Sequence, residues 1–124
     1  MSTPPGFYTK TPLTISAGNS TSDIFDSGDG FVVGFFTPSA VEASTAQLSF
    51  LVSPTIDGTF VVLYIDNAKV TMPFTVSTLN KFGNNPQTLF GCRYSKIVAE
   101  DSGGSPVTQT VARIFIADLF TSLL

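Results

Sequence analysis

Histidine and tryptophan are absent from the 124 residues, and cysteine occurs once, at Cys92. Without histidine the chain lacks the usual general base near neutral pH and the commonest metal ligand. Neither a Ser-His-Asp nor a Cys-His arrangement can be assembled within it. A single cysteine excludes an intramolecular disulfide, which fits production in a reducing cytosol. Cys92, between Gly91 and Arg93 in a strand-like stretch, reads as a small buried residue rather than a reactive thiol. Charge is also scarce. Only 12% of residues are charged, nine acids stand against six bases, and the net charge is −3. No basic stripe is available to neutralise phosphates, so a nucleic-acid partner is not expected. No basic amphipathic segment points to a membrane surface, and no apolar run approaches the roughly 20 residues of a membrane helix. The opening Met1-Ser-Thr-Pro-Pro-Gly-Phe7 has neither the basic nor the apolar region of a secretion signal, so synthesis in the cytoplasm is the expectation. A P-loop, a GxGxxG after a strand and a Cys/His cluster are all missing. No cofactor and no catalytic residue is therefore assigned.

What remains is strongly apolar. Hydrophobic residues make up 43% of the chain, and twelve of them are phenylalanine. Val, Ile, Thr and Ser are abundant while Glu, Lys, Gln and Arg are few, a bias that suits pleated, half-buried surfaces. Thr11 to Ser16, Asp23 to Asp26, Phe31 to Phe36, Ala46 to Ser53, Thr59 to Asp66, Lys69 to Val76, Thr88 to Glu100 and Val107 to Ala117 read as strands. Ser27-Gly-Asp-Gly30, Asp57-Gly58, Asp66-Asn67 and Asp101-Ser-Gly-Gly-Ser-Pro106 read as turns. Gly34 marks a bulge or a close backbone approach, and Pro73 demotes its strand to an edge. Pro38 to Thr45 has the chemistry of one loose helical turn, and Ser77 to Gln87 reads as a polar connection. The pattern predicts an all-β, single-domain antiparallel β-sandwich or jelly roll of about eight strands. Each buried Phe in it contributes roughly 1.5–3 kcal/mol, enough for a core without metal or disulfide. Residues 1–10, with Pro4 and Pro5, form an extended arm, and 11–124 form the sandwich.

Two acidic patterns call for a chemical test. Asp23, Asp26 and Asp29 with Gly28 and Gly30 resemble a calcium loop, but the spacing is not that of an EF-hand and no bidentate Glu follows. A carboxylate pair for glycoside hydrolysis would need two acids in one cleft. Asp29, Asp57, Asp66 and Asp101 instead fall in turns, where Asp caps local backbone. Turn formation is the reading adopted for both, and no metal is assigned.

Two longer stretches carry a family pattern. The first is Gly34-Phe-Phe-Thr-Pro38, Ser44-Thr-Ala46, Leu48-Ser-Phe50, Ser53 and Asp57-Gly58-Thr-Phe60. The second is Arg93-Tyr-Ser-Lys-Ile97, Ser102-Gly103, Pro106-Val-Thr-Gln109 and Val111-Ala-Arg113-Ile-Phe-Ile116. Together they resemble a family of small β-sandwich proteins encoded among the structural genes of tailed bacteriophages. A Trp often follows the Pro-Ala segment in that family, and Val41 stands near that place here. The resemblance implies a virion protein made in the host cytoplasm, most specifically a capsid decoration (cement) protein. It further implies binding to the major capsid protein on the capsid surface, self-association as a homotrimer, and no cofactor. Two segments suit such contacts. Pro4, Pro5, Phe7 and Tyr8 in the arm, and Leu119, Phe120, Leu123 and Leu124 in the apolar tail, are the candidate interface residues. The alternative is a carbohydrate- or receptor-binding module of a tail fibre or baseplate, in which Tyr8, Tyr64 and Tyr94 would replace the missing Trp platforms.

Overall fold

The computed structural model describes residues 6–28, 30–74, 80–83 and 93–122. They form strands β1 (Gly6–Ile15), β2 (Phe25–Asp26), β3 (Phe31–Thr37), β4 (Gln47–Ser53), β5 (Val61–Val62), β6 (Tyr64–Ile65), β7 (Ala68–Lys69), β8 (Thr71–Pro73), β9 (Asn80–Gly83), β10 (Tyr94–Glu100) and β11 (Arg113–Ser122). Among the described residues there is no helix, and so none long and apolar enough to cross a membrane. The expected turn of helix at Pro38 to Thr45 is irregular chain instead. Its backbone is held by the buried Gln109, whose Oε1 accepts from Glu42 N at 3.0 Å and whose Nε2 donates to Thr45 Oγ1 at 3.1 Å.

One sheet runs β1-β11-β3-β9 and the other β2-β10-β4-β5, with β8 also paired to β4, and every pairing is antiparallel. Alternation decides which side chains meet between them. Leu13 and Ile15 of β1, Phe115, Ala117 and Leu119 of β11, and Val32 and Phe35 of β3 pack against Phe25, Leu48, Phe50, Met72, Ile97 and Ala99 of the other sheet. The Phe35 and Phe50 rings meet across the gap at 5.8 Å. This is an antiparallel β-sandwich, as the strand pattern predicts.

Several boundaries differ from the sequence reading. Residues 6–10 are extended but belong to β1, paired with β11 from Gly6↔Ser122 onward, so the sheet begins before residue 11. The last strand is Arg113–Ser122 rather than Val107 to Ala117, because Gln109 is fully buried and ties residues 107–110 into a loop. Asn80–Gly83, read as connection, pairs with β3. Thr88 to Cys92 of the expected long strand, and Thr75 and Val76 of the one before it, lie outside the described residues.

Other signals fall where expected. Val33 is the extra residue of a bulge in β3 beside Gly34, where the register with β11 shifts between Asp118 and Leu119. Among the described residues β8, with Pro73, pairs only with β4, an edge position where proline's missing donor is tolerated. Asp66 and Asn67 have φ of 51° and 64°, the paired left-handed residues of a type I′ turn joining β6 to β7.

That turn tips a finger. The chain leaves the β4 edge after Leu63, whose N–H donates to Phe50 O, and rejoins it at Thr71. Val70 N donates to Leu63 O and closes the finger's base. Lys69 then reaches the buried Glu100 carboxylate, which also accepts from Ser49 Oγ at 2.7 Å and Gln47 Nε2 at 3.0 Å. Burial acts to raise the Glu100 pKa, but the hydrogen bonds of Lys69, Gln47 and Ser49, with the Lys69 charge, outweigh it and hold it below the usual glutamate value.

Two outcomes follow from this packing. Phe50→Ala removes a fully buried ring at the sandwich centre and is expected to cost about 3–5 kcal/mol, read from urea midpoints at an unchanged m-value. A carboxyl whose folded pKa is depressed contributes stability above its unfolded pKa and loses it as pH falls through the folded one. Stability should therefore decline as pH falls below the ordinary glutamate range and through the lowered Glu100 pKa. Glu100→Gln should make that decline shallower while costing about 3 kcal/mol at neutral pH, as removing one partner of a buried pair does.

Candidate interaction surface

The β1–β11–β3 sheet has a second face, turned away from the core. In the antiparallel register, opposite residues share a face, and Leu13↔Phe115 and Thr11↔Ala117 define the inner one. The outer face then carries Tyr8↔Phe120, Lys10↔Asp118 and Pro12↔Ile116. Across β11 the rows continue into β3 with Phe31 opposite Phe120, Gly34 opposite Asp118 and Phe36 opposite Ile116. The bulge decides the last row. Were Val33 to pair in the ladder instead of bulging, strict alternation would turn Phe31 towards the core and Val32 outwards. With it, Val32 is buried and Phe31 joins the outer face.

The result is a row of rings. Tyr8 and Phe120 lie 5.1 Å apart between centroids, and Phe120 and Phe31 lie 5.7 Å apart, both tilted. Lys10 bridges the rows below, its Nζ 2.7 Å from Asp118 Oδ1 and 5.3 Å from the centre of the Phe36 ring. Asp118 is buried and Lys10 half exposed, so the one carboxylate of this face is neutralised in place. Tyr8 is 59% exposed and Ile114 52%, whereas Phe31, Phe36, Ile116 and Phe120 are half-buried by one another.

Of the residues expected at an interface, Tyr8 and Phe120 are brought together on this face. Phe7 is 49% exposed and sits on the opposite side of β1, facing the way Leu13 does but beyond the core. Leu119 is corrected: opposite Thr9 and Val32, it points inwards and is a core residue. Pro4, Pro5, Leu123 and Leu124 lie outside the described residues, as do Cys92 and Asp29. Lys10, Phe31, Phe36, Asp118 and Ile116 were not assigned from sequence. The alternation of Ile114, Ile116 and Phe120 against Phe115, Ala117 and Leu119 was the available signal for β11. Nothing local could disclose an ion pair between residues 10 and 118.

Two of the acids flagged in the sequence are engaged by the fold. Asp23 Oδ1 accepts from Thr14 N at 3.1 Å, and Asp26 binds Arg93 Nε at 2.8 Å and Gly28 N at 2.8 Å. The Arg93 hydrogen bond, then that of Gly28, holds the Asp26 pKa below its usual value. Among the described residues no three acids, cysteines or histidines cluster as metal ligands. An open groove of about 430 Å³ runs between Ser39–Ala43, Thr45, Ala46 and Phe74. Its Glu42 carboxylate accepts from the Thr110 hydroxyl and backbone N–H and lies 3.6 Å from Arg113, contacts that lower its pKa. The rest of its lining mixes the hydroxyls of Ser39 and Thr45 with Ala40, Val41, Ala43, Ala46 and the Phe74 ring. Comparison with known protein families, with curated proteins and with solved structures returns no match for this chain.

Gly6 limits how the aromatic row can be altered. A Cβ there would lie 2.4 Å from Phe120 Cζ and 2.6 Å from Thr121 O, so the ring rests on bare backbone. Gly6→Val should displace Phe120, cost about 1–3 kcal/mol and speed amide exchange at Tyr8 and Phe120, with core amides unaffected.

Proposed function

We propose that the protein is a structural component of a tailed-phage virion, specifically a capsid decoration protein that binds the assembled head through its outer aromatic sheet face. The observation that carries this reading is the Tyr8–Phe120–Phe31 row with Phe36, Ile114 and Ile116 beside it. A contiguous apolar face rimmed by polar side chains is how protein–protein contact sites are built. Its Lys10–Asp118 pair is satisfied within the chain, so burying that pair under a neighbouring subunit leaves neither of its two ions unpaired. The family resemblance supplies the phage context. The stretches that carry it build β3, β4, β10 and β11, the strands that frame the core. In this role the chain works as a homotrimer on the capsid surface, with the major capsid protein as its partner and no cofactor.

The test is co-sedimentation with heads assembled from the coat protein encoded alongside it. Saturable binding is expected, and Tyr8→Arg combined with Ile114→Arg should weaken it at least about tenfold while leaving the thermal midpoint within a few degrees. Both positions are exposed, so loss of binding without loss of fold isolates the face. Heads that take up no protein would remove the decoration role. Saturable binding to host-cell glycans instead would move the assignment to the receptor-binding module.

A further inference from the structure

A second apolar surface lies on the other sheet. Ile56, Val61, Val62, Tyr64 and Ile65 are all exposed, with Val61 at 57% and Tyr64 at 58%. β5 pairs with β4 on one side and with no strand on the other among the described residues. Phe60 to Ile65 contains no charge and no proline, the composition that invites pairing with another chain when left at an edge. On the outer face of this sheet Leu51 lies between Lys96 of β10 and Val62 of β5, and the Lys96 ammonium sits 4.6 Å from the centre of the Phe60 ring. The finger that follows β5 directly in the chain carries Tyr64, Ile65 and Asp66.

Charge distinguishes this region from the rest of the molecule. Lys10, Lys69, Arg93 and Arg113 each face a carboxylate of the chain, those of Asp118, Glu100, Asp26 and Glu42. Asp23 and Asp101 cap backbone amides. Among the charged side chains that the structure describes, Asp57, Asp66 and Lys96 are the exceptions. The two aspartates have no hydrogen bond or ion pair, and Lys96 has only the Phe60 ring. Asp57 lies in the loop before β5, Asp66 at the tip of the finger that follows it, and Lys96 against the Phe60 ring.

We propose that this surface docks a second copy of the chain, the finger tip of one copy lying on the Phe60–Lys96 patch of the other with Asp66 beside Lys96. The patch supplies both halves of the contact, a projecting apolar tip that ends in an anion and an apolar seat that holds a cation. Neither charge is neutralised within its own chain, and docking pairs them. Exchanged reciprocally the contact closes a dimer, and passed from copy to copy it closes a ring. It names the surface for the self-association within the virion role, and it rests on that reading only there.

The experiment is sedimentation velocity on the purified full chain and its variants, with circular dichroism as the check on fold. The wild type should associate reversibly. Asp66→Asn, which keeps a residue tolerant of the left-handed turn, should weaken association about fivefold, and Lys96→Glu should weaken it more by placing like charges together. Asp66→Lys with Lys96→Glu should restore most of it. Should lysine at the turn disturb the finger, Asp66→Asn with Lys96→Glu should associate more tightly than Lys96→Glu alone. A monomeric wild type, or an oligomer indifferent to these changes, overturns the contact. Head binding is read separately through Tyr8 and Ile114, so heads left unbound by a protein that still self-associates would sink the virion role and leave this contact standing.

Discussion

Ten residues of the first strand, Gly6–Ile15, lie opposite ten of the last, Arg113–Ser122, and the remainder of the sandwich is arranged around that ladder. Bringing segments so distant in sequence together carries a length-dependent entropy cost of about 4 kcal/mol for a loop on the order of 100 residues. The inner half of the pairing offsets it. Leu13 and Ile15 enter the core with Phe115 and Ala117, and these residues meet Phe25, Phe50 and Ile97 of the opposite sheet. The outer half, where Gly6 to Lys10 overhang the core, adds little burial of its own. It is steadied instead by the Tyr8–Phe120 ring contact and the Lys10–Asp118 pair. The side chains that hold the ladder's open end are therefore the ones proposed to meet a partner.

The two outward surfaces differ in electrostatics, and that difference separates their roles. On the β1–β11–β3 sheet a bulged residue, Val33, turns Phe31 out to complete the aromatic row, and Asp118 is buried under Lys10. A face whose charges are already matched adapts to any apolar, neutral neighbour of suitable shape and gains affinity from ring contacts. On the β4–β5 edge the charges are unmatched, and unmatched charges select the partner by penalising wrong pairings. In the proposed virion role, the selective surface would join identical copies and the tolerant one would spread over a coat subunit.

Much of this fold was legible because short-range signals and long-range packing agree. Asp66-Asn67 and Asp101-Ser-Gly-Gly-Ser-Pro106 make turns where their backbone preferences place them, with Asp101 Oδ1 accepting from Gly103 and Ser105 N–H. Leu48 and Phe50 enter the core as their alternation predicts, while Ser49 between them is buried on the other face by its hydrogen bond to Glu100. The misreadings arise where a tertiary contact overrules the local pattern. Val107 and Val111 look like strand residues, yet Gln109 between them is drawn into the interior to hold the backbone of Glu42. Asn80–Gly83 carries residues typical of a connection, and only the free edge of β3 makes it a strand. The apolar tail was legible as a contact segment but not as two-faced, since Leu119 and Phe120 separate into core and surface only once the register with β1 and the bulged β3 is fixed. The pairs Lys10–Asp118 and Lys69–Glu100 are beyond any reading of neighbours in sequence.

The buried polar groups clarify why surfaces, rather than a pocket, are the functional elements proposed. Ser22 Oγ accepts from Ile97 N and donates to Asp23 O, joining the β2 segment to β10. Gln109 ties three stretches of chain together through the backbones of Asn19, Glu42 and Val107. Glu100 pins the finger through Lys69. Each of these groups is saturated by intramolecular partners in the way that a strut is, and saturation is the opposite of what proton transfer or ligand capture requires of a poised group. Rigidity gained in this way has its effect at the periphery. A finger anchored at Leu63, Val70 and Lys69 presents Tyr64 and Asp66 in one fixed arrangement, so less side-chain and loop entropy remains to be lost when a partner binds.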